Sequence, residues 1–315
     1  MSEAIIEVKD LSVTYRTGFR RKRVDAVRGA TFAVSKGEVF GFLGPNGAGK
    51  TTTIRVLMGL ISSTGGDCKI FGEPIPNRAS RGRLGFLPEA PYFYDYLSVR
   101  ELVDLTGRLF GLDRAHRRRR ADELIELVGL GHAYDLPMKK YSKGMLQRAG
   151  IAQALVNDPE LVVFDEPMSG LDPVGRKEVR DIILGLRDQG KTVFFSTHIL
   201  PDVEMLCDRV GFIVKGKVRD IGALSDIVGS RVFGVEITLR TDGELDAAGL
   251  AKLEASVATL RRLDKDLFVS MTPDADVDEF LAMSRALGLK VVSVAPRHQT
   301  LEDVFLEEAK KGAAP

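Results

Sequence analysis

The chain has 315 residues, with 45 lysines and arginines against 44 aspartates and glutamates. That length suits one α/β domain of about 200 residues and a smaller one of about 100. A net charge of +1 excludes a global field that would draw the protein to nucleic acid or an anionic membrane, so any such partner must be met by a local patch.

No basic region followed by a long apolar run opens the chain, and no stretch reaches the roughly 18 apolar residues of a membrane span; neither a signal peptide nor a spanning helix is expected. Residues 5–9 and 11–15 alternate apolar and polar side chains and predict two antiparallel strands, with residues 30–34 the next. Between them, Arg20-Arg21-Lys22-Arg23 reads either as a solvated turn or as an arm that meets lipid headgroups or a partner. Residues 39–43 form an apolar run typical of a buried strand, and residues 51–58 supply the helix after it. The turn joining them, Gly44-Pro45-Asn46-Gly47-Ala48-Gly49-Lys50-Thr51-Thr52, matches G-x-x-x-x-G-K-[ST] without a mismatch. Its glycines let successive N–H groups point inward, and the helix N-terminus adds partial positive charge toward a phosphate. Lys50 then reaches β- and γ-phosphates, while the Thr51 hydroxyl holds Mg²⁺.

Residues 84–89 read as a short parallel strand ending on Glu89, at the edge where open α/β sheets present ligand contacts. The run Pro91-Tyr92-Phe93-Tyr94-Asp95-Tyr96-Leu97 is either a contact surface or a local core. Helical periodicity from 99 to 130 predicts a helical insert over about 97–157, with Arg117 to Arg120 on a solvated face. In Tyr141-Ser142-Lys143-Gly144-Met145, a hydroxyl and backbone N–H groups precede a helix over 146–156 and make a second anion site. Residues 161–166 are a buried strand that stops on paired acids: Asp165 suits Mg²⁺, and Glu166 suits a general base for an attacking water. Residues 169–173 turn the chain away. A strand over 192–198 is tipped by His198, which is either structural or a sensor of a γ-phosphate. Residues 210–214 and 217–221 form a terminal hairpin. Cys68 and Cys207, far apart and outside any ligand-spaced cluster, predict reduced thiols packed as small core residues in a cytoplasmic protein.

Past Gly229 the pattern changes to strand 232–239, helix 247–255, strands 257–263 and 267–271, helix 277–287 and strand 291–295. That βαββαβ order is ferredoxin-like. A last helix is expected over 301–310. No site chemistry appears here, which leaves pairing or regulation as the role.

In order, Tyr15, GPNGAGKTT, the acid after LGFLP, YSKGM, LVVFDEP, SGLD and STH resemble the nucleotide-binding subunit of an ABC transporter over roughly residues 4–225. The resemblance implies an α/β fold: a P-loop NTPase cassette over 1–229, with a mostly parallel sheet, an antiparallel β subdomain and the helical insert. A small α+β ferredoxin-like domain over 230–315 follows it. It also implies ATP and Mg²⁺ as ligands. Tyr15 would stack on adenine; Gly44, Asn46, Gly47, Ala48, Gly49, Lys50, Thr51 and Thr52 would hold the phosphates; Thr51, Glu89 and Asp165 would serve the metal. Glu166, His198 and Lys50 would be catalytic, Ser142 and Gly144 would close over ATP held by a second copy, and Asp172 would lie at the dimer seam.

Two departures from the family stand out. Tyr141, Lys143 and Met145 replace the Leu, first Gly and Gln of LSGGQ, and Glu89 stands where a Gln is usual, offering only acceptors and a negative charge. Both variants, with Thr300 to Phe305, resemble the exporter branch that pairs with ABC-2 type permeases. The implied protein is an ATP-hydrolysing exporter subunit, a homodimer held through its permease to the inner face of the cell membrane. The competing reading, a soluble ABC ATPase acting on nucleic acid or the ribosome, calls for two cassettes in one chain or a long coiled-coil insertion. The sequence has neither, so no nucleic-acid partner is expected. A regulatory module that binds ATP without hydrolysing it is disfavoured by the intact Glu166 and His198.

Overall fold

The structure, a computed structural model, describes residues 3–17, 22–228, 232–241, 243, 247–272, 274–298, 301 and 303. Arg20 and Arg21, and the helix expected over 301–310 apart from residues 301 and 303, lie outside them. Contacts divide the chain into a unit spanning 1–224 together with 307–315 and a second unit over 225–306.

The first unit begins with β1 (Ala4–Thr17) and β2 (Lys22–Ser35), then β3 (Val39–Leu43) and α1 (Lys50–Leu57). The two strands expected over 5–15 are one. Asp10 adopts a left-handed φ of 50°, and the pairing register slips between Val8 and Leu11. That bulge shifts the alternation by one residue, so Ile6 and Val8 before it and Leu11 and Val13 after it all reach the same core. β2 starts well before residue 30, because residues 22–27, charged and apolar mixed, pair with the outer half of β1, where Thr14 donates to Asp25 at 2.7 Å.

Next come β4 (Gly65–Ile70), β5 (Glu73–Pro74), α2 (Arg78–Arg81) and β6 (Leu84–Leu87), then α3 (Val99–Leu109), α4 (Arg114–Leu127) and α5 (Lys143–Ala154). α3 opens with a capping box in which Ser98 and Glu101 satisfy each other's backbone. Arg117 and Arg120, expected on a solvated face, turn inward: Arg117 binds Asp104 of α3 at 2.7 Å and the Leu112 carbonyl at 2.6 Å, and Arg120 donates to the Leu155 carbonyl at 2.8 Å. Long aliphatic stems let these arginines pack against neighbouring helices, which a charge run does not disclose. α5 starts three residues earlier than expected because Ser142 caps it.

The unit continues with β7 (Leu161–Asp165), α6 (Pro173–Asp188), β8 (Thr192–Thr197), α7 (Leu200–Leu206), β9 (Arg209–Val214) and β10 (Lys217–Ala223), leading into α8 (Leu224–Val228). Its central sheet runs β10-β9-β3-β8-β7-β6, parallel except for the β10 edge; a second, antiparallel sheet runs β2-β1-β4-β5. Phe32 of the antiparallel sheet stacks on Phe42 at 5.3 Å, and Phe40 stacks on Phe194 at 5.7 Å, so buried rings join the two layers. Each fully buried ring contributes about 1.5–3 kcal/mol. Cys68 is buried, Cys207 packs against Gly41, and both thiols are free.

The second unit follows the expected order: β11 (Val232–Arg240), α9 (Ala247–Ala255), β12 (Thr259–Leu263), β13 (Asp266–Met271), α10 (Val277–Ala286) and β14 (Lys290–His298). All pairings are antiparallel, in the order β12-β13-β11-β14, over a core that includes Ile237, Leu239, Val269 and Phe280.

Candidate functional site

Parallel strands align their carboxyl ends, and β3, β7 and β8 bring three sequence-distant segments to one edge of the sheet. There, residues 46–52 with Ala26, Glu89 and Glu166 enclose a cavity of 290 Å³. Gly49, the residue before α1, has φ 112°, and a Cβ on it would meet the Ala26 carbonyl at 2.5 Å, so only glycine lets the loop pass under β2. No side chain caps α1, which leaves its first N–H groups to the cavity. Above Gly47 there is open space.

Lys50 is only 5% exposed. Its Nζ donates to the Gly44 carbonyl at 2.6 Å and the Pro45 carbonyl at 3.2 Å, and lies 3.0 Å from Glu166 Oε1. The other carboxylate oxygen of Glu166 meets His198 Nδ1 at 2.8 Å. Glu166 follows β7 directly with φ 49°, a conformation costing roughly 1–3 kcal/mol for a non-glycine residue. Ser196 helps to hold it: the Glu166 N–H donates to Ser196 Oγ at 2.9 Å, and that hydroxyl donates to Asp165 Oδ1 at 2.6 Å. Thr51 donates to the same Asp165 oxygen at 3.2 Å.

Thr51, Asp165, Ser196, Glu166, Lys50 and His198 therefore form one connected network. Burial pushes the Asp165 carboxyl above the usual aspartate range, and the hydrogen bonds from Ser196 and Thr51 oppose that rise. Thr51 and Asp165 offer two adjacent oxygens of the kind that hold a hard cation, and Glu89 stands exposed on the cavity wall. Among the described residues, no group of three His, Cys, Asp or Glu side chains makes a complete metal cage, so an ion here would need substrate oxygens or water as further ligands. The arrangement fits a magnesium–polyphosphate substrate. Ser196 was not singled out from the sequence; its place where the apolar run of β8 gives way to Ser196-Thr197-His198 is the signal that could have found it.

Other predicted site residues lie elsewhere. Tyr15 sits on β1 opposite Val24, half-buried against the core, outside the cavity lining. Ser142 accepts from the Met145 N–H at 3.2 Å as the cap of α5, and Asp172 accepts from the Gly175 N–H at 2.7 Å as the cap of α6. A Cβ on Gly144 would touch Leu171, and one on Gly170, φ 66°, would strike the Lys143 ammonium. The 142–145 and 169–172 segments are thus neighbours, and neither lines the phosphate-loop cavity of its own chain.

The sequence model of the ABC transporter family matches residues 27–169. An uncharacterised ABC transporter ATP-binding protein of Synechocystis sp. is 41% identical over 98% of this chain and 85% of its own length. The Nod factor export ATP-binding protein I of Paraburkholderia xenovorans is 38% identical over 74% of this chain and 75% of its own. A solved ATP-binding subunit of an ABC transporter superposes with a TM-score of 0.63 at 32% identity, covering 71% of this chain and 91% of that one.

Proposed function

The chain belongs to the ABC transporter family as an ATP-binding subunit, an ATPase that energises transport, and on that premise we propose that it drives export through a separate ABC-2 type permease as one of two paired copies. The observation that carries this reading is the division of the site. Lys50, Thr51, Asp165 and Glu166 converge within one chain, while Ser142, Gly144 and Asp172 lie outside that cavity and are left for ATP held by a second copy.

In this reading the N–H groups at the start of α1 and Lys50 bind the β- and γ-phosphates. Phosphate oxygens compete with Glu166 for Lys50, and as the lysine transfers to them it frees Glu166 Oε1. That oxygen takes a proton from water as the water oxygen bonds the γ-phosphorus and the bond to the ADP oxygen breaks. His198 orients the carboxylate through its other oxygen and stands where it can meet the γ-phosphate. Thr51 and Asp165, with Glu89 on the same cavity wall as Thr51, would hold Mg²⁺, which would supply charge neutralisation on the phosphates. Tyr15 stacks on adenine where β1 runs past Ala26. The cassette over 1–229 carries this chemistry, and the domain over 230–315 contributes to pairing. The protein is held at the inner face of the cell membrane through the permease; no helix among the described residues is long and apolar enough to cross a membrane.

Tyr92, Tyr94 and Tyr96 are exposed, Tyr92 by 95%, whereas Phe93, between the first two, and Leu97, after the third, pack on the core. Anchored at those two points, the segment offers its three tyrosines as the permease-facing surface. Co-purification with a co-expressed ABC-2 type permease tests the reading. Tyr92→Ala with Tyr94→Ala should weaken the complex about tenfold while sparing basal ATPase activity, and undiminished complex formation would remove this surface from the role.

A further inference from the structure

α3 and α4 form the walls of a second cleft, 690 Å³ in volume, which shares no lining residue with the phosphate-loop cavity. Five arginines and two aspartates line it, leaving three positive charges in excess. Both aspartates are already engaged: Asp104 takes Arg108 at 2.6 Å and Arg117 at 2.7 Å, and Asp135 takes Arg100 at 2.9 Å. Arg114 and Arg118, one turn apart on α4, have no carboxylate partner among the described residues. Arg114 is the first residue of α4, where the macrodipole disfavours a cation; the Asp113 cap spends its carboxylate on the His116 N–H, and no further acid stands in that first turn. The field at this helix end therefore gives no reason for a cation at Arg114. The planar donor forks of Arg114 and Arg118 suit phosphate oxygens.

The identity of the phosphate follows from what α3 exposes outside the cleft lining. Leu105 and Leu109, one turn apart, directly follow the cleft residues Asp104 and Arg108 and are exposed, with Phe110 after them; Leu109 is 81% exposed. Cationic forks beside exposed apolar side chains suit a surface on which phosphate and hydrocarbon lie together, the boundary of an anionic membrane. A free phosphate would leave Leu105 and Leu109 without a role. Single-stranded nucleic acid calls for an uninterrupted basic track with aromatic platforms, and Asp104 and Asp135 break up this cleft.

We propose that the α3–α4 face binds anionic phospholipid headgroups directly, with Arg114 and Arg118 taking the phosphates and Leu105 and Leu109 entering the interface. This contact depends neither on nucleotide nor on the permease, so its failure would leave the ATPase reading intact. Flotation of the full chain with vesicles of phosphatidylcholine, alone or with about a quarter phosphatidylglycerol, tests it. Binding is expected only to the anionic vesicles and should be lost in about 0.5 M salt. Arg114→Glu with Arg118→Glu should weaken it by about tenfold or more, and the milder Arg114→Gln with Arg118→Gln by less, both with unchanged melting and basal ATPase activity. Leu109→Ser should weaken binding without changing its salt dependence. Equal binding to neutral vesicles, binding to neither, or full binding by the arginine variants would overturn the proposal. So would arginine-dependent thermal stabilisation by inorganic phosphate, or arginine-dependent retention of single-stranded RNA, in the absence of vesicle binding.

Discussion

Two helices of this protein begin on a lysine, and their beginnings could hardly differ more. Lys50 opens α1 without a side-chain cap, behind a left-handed Gly49, and is locked between two carbonyls and Glu166. Lys143 opens α5 behind a Ser142 cap, exposed, with no ion pair among the described residues. The same residue type at the same helical position is thus built in at one site and left open at the other. One helix start turns uncapped backbone donors toward the phosphate-loop cavity and ties its lysine down; the other has its backbone donors partly satisfied and its charge facing out.

The largest expected effect comes from making the same substitution at both lysines. Lys50→Met leaves Glu166 buried with only the half-exposed His198 beside it, and should cost about 3 kcal/mol of unfolding free energy, measured by denaturant titration, besides abolishing turnover. Lys143→Met should stay within about 0.5 kcal/mol. Equal losses would erase the contrast.

Glu166→Gln removes the proton acceptor and should cut turnover about 10²-fold or more. Because the neutral amide no longer pins Lys50, ATP should bind several-fold more tightly, and a nucleotide-bound dimer should accumulate. Weaker ATP binding in an equilibrium titration would show that Glu166 does not compete with phosphate for Lys50.

Asp165 sharpens the comparison through pH. Its raised pKa means that the folded chain holds the proton more tightly than the unfolded one. The associated stability is present below the ordinary aspartate range and is lost as pH rises through the raised value. Asp165→Asn should therefore stabilise the nucleotide-free protein at neutral pH, flatten its stability between acid and neutral pH, and remove Mg²⁺-dependent turnover. A wild-type pH slope in the variant would place the burial cost on another group.

At the open helix, Ser142→Ala should lose about 1 kcal/mol of α5 capping and abolish ATP-driven pairing, read by light scattering with ATP and Mg²⁺. Pairing that survives would make Ser142 a cap alone. The smallest effect is expected at Glu89, exposed on the cavity wall. Glu89→Gln should keep ATP binding and lower the apparent Mg²⁺ affinity a few-fold, and superimposable Mg²⁺ titrations would remove it from the metal site.

Much of the site was legible because phosphate chemistry imposes spacing. The loop at 44–52 and the Asp165–Glu166 pair were both read from strands that end on polar residues. Arg117 and Arg120 were misread, since a charge run looks the same whether its stems lie on water or reach across to Asp104 and the Leu155 carbonyl. β1 was split in two, since a bulge at Asp10 imitates a break in alternation. The helix over 173–188 was not among the expected elements, although Asp172-Pro173 is a strong start signal.

The sequence by itself determined the glycine-rich loop, the acid pair that the fold brings to its Lys50 and Thr51 and the βαββαβ order of the second unit, because glycine, lysine and paired carboxylates at fixed spacing have few other uses, and local periodicity fixes element type. Only the tertiary structure decided that Glu166 grips Lys50, that Ser196 ties Asp165 to Glu166, and that Arg114 and Arg118 are left over in a cleft. These are contacts between residues far apart in the chain or on different helices. Their existence depends on which strand ends and helix faces meet, and no local pattern carries that information.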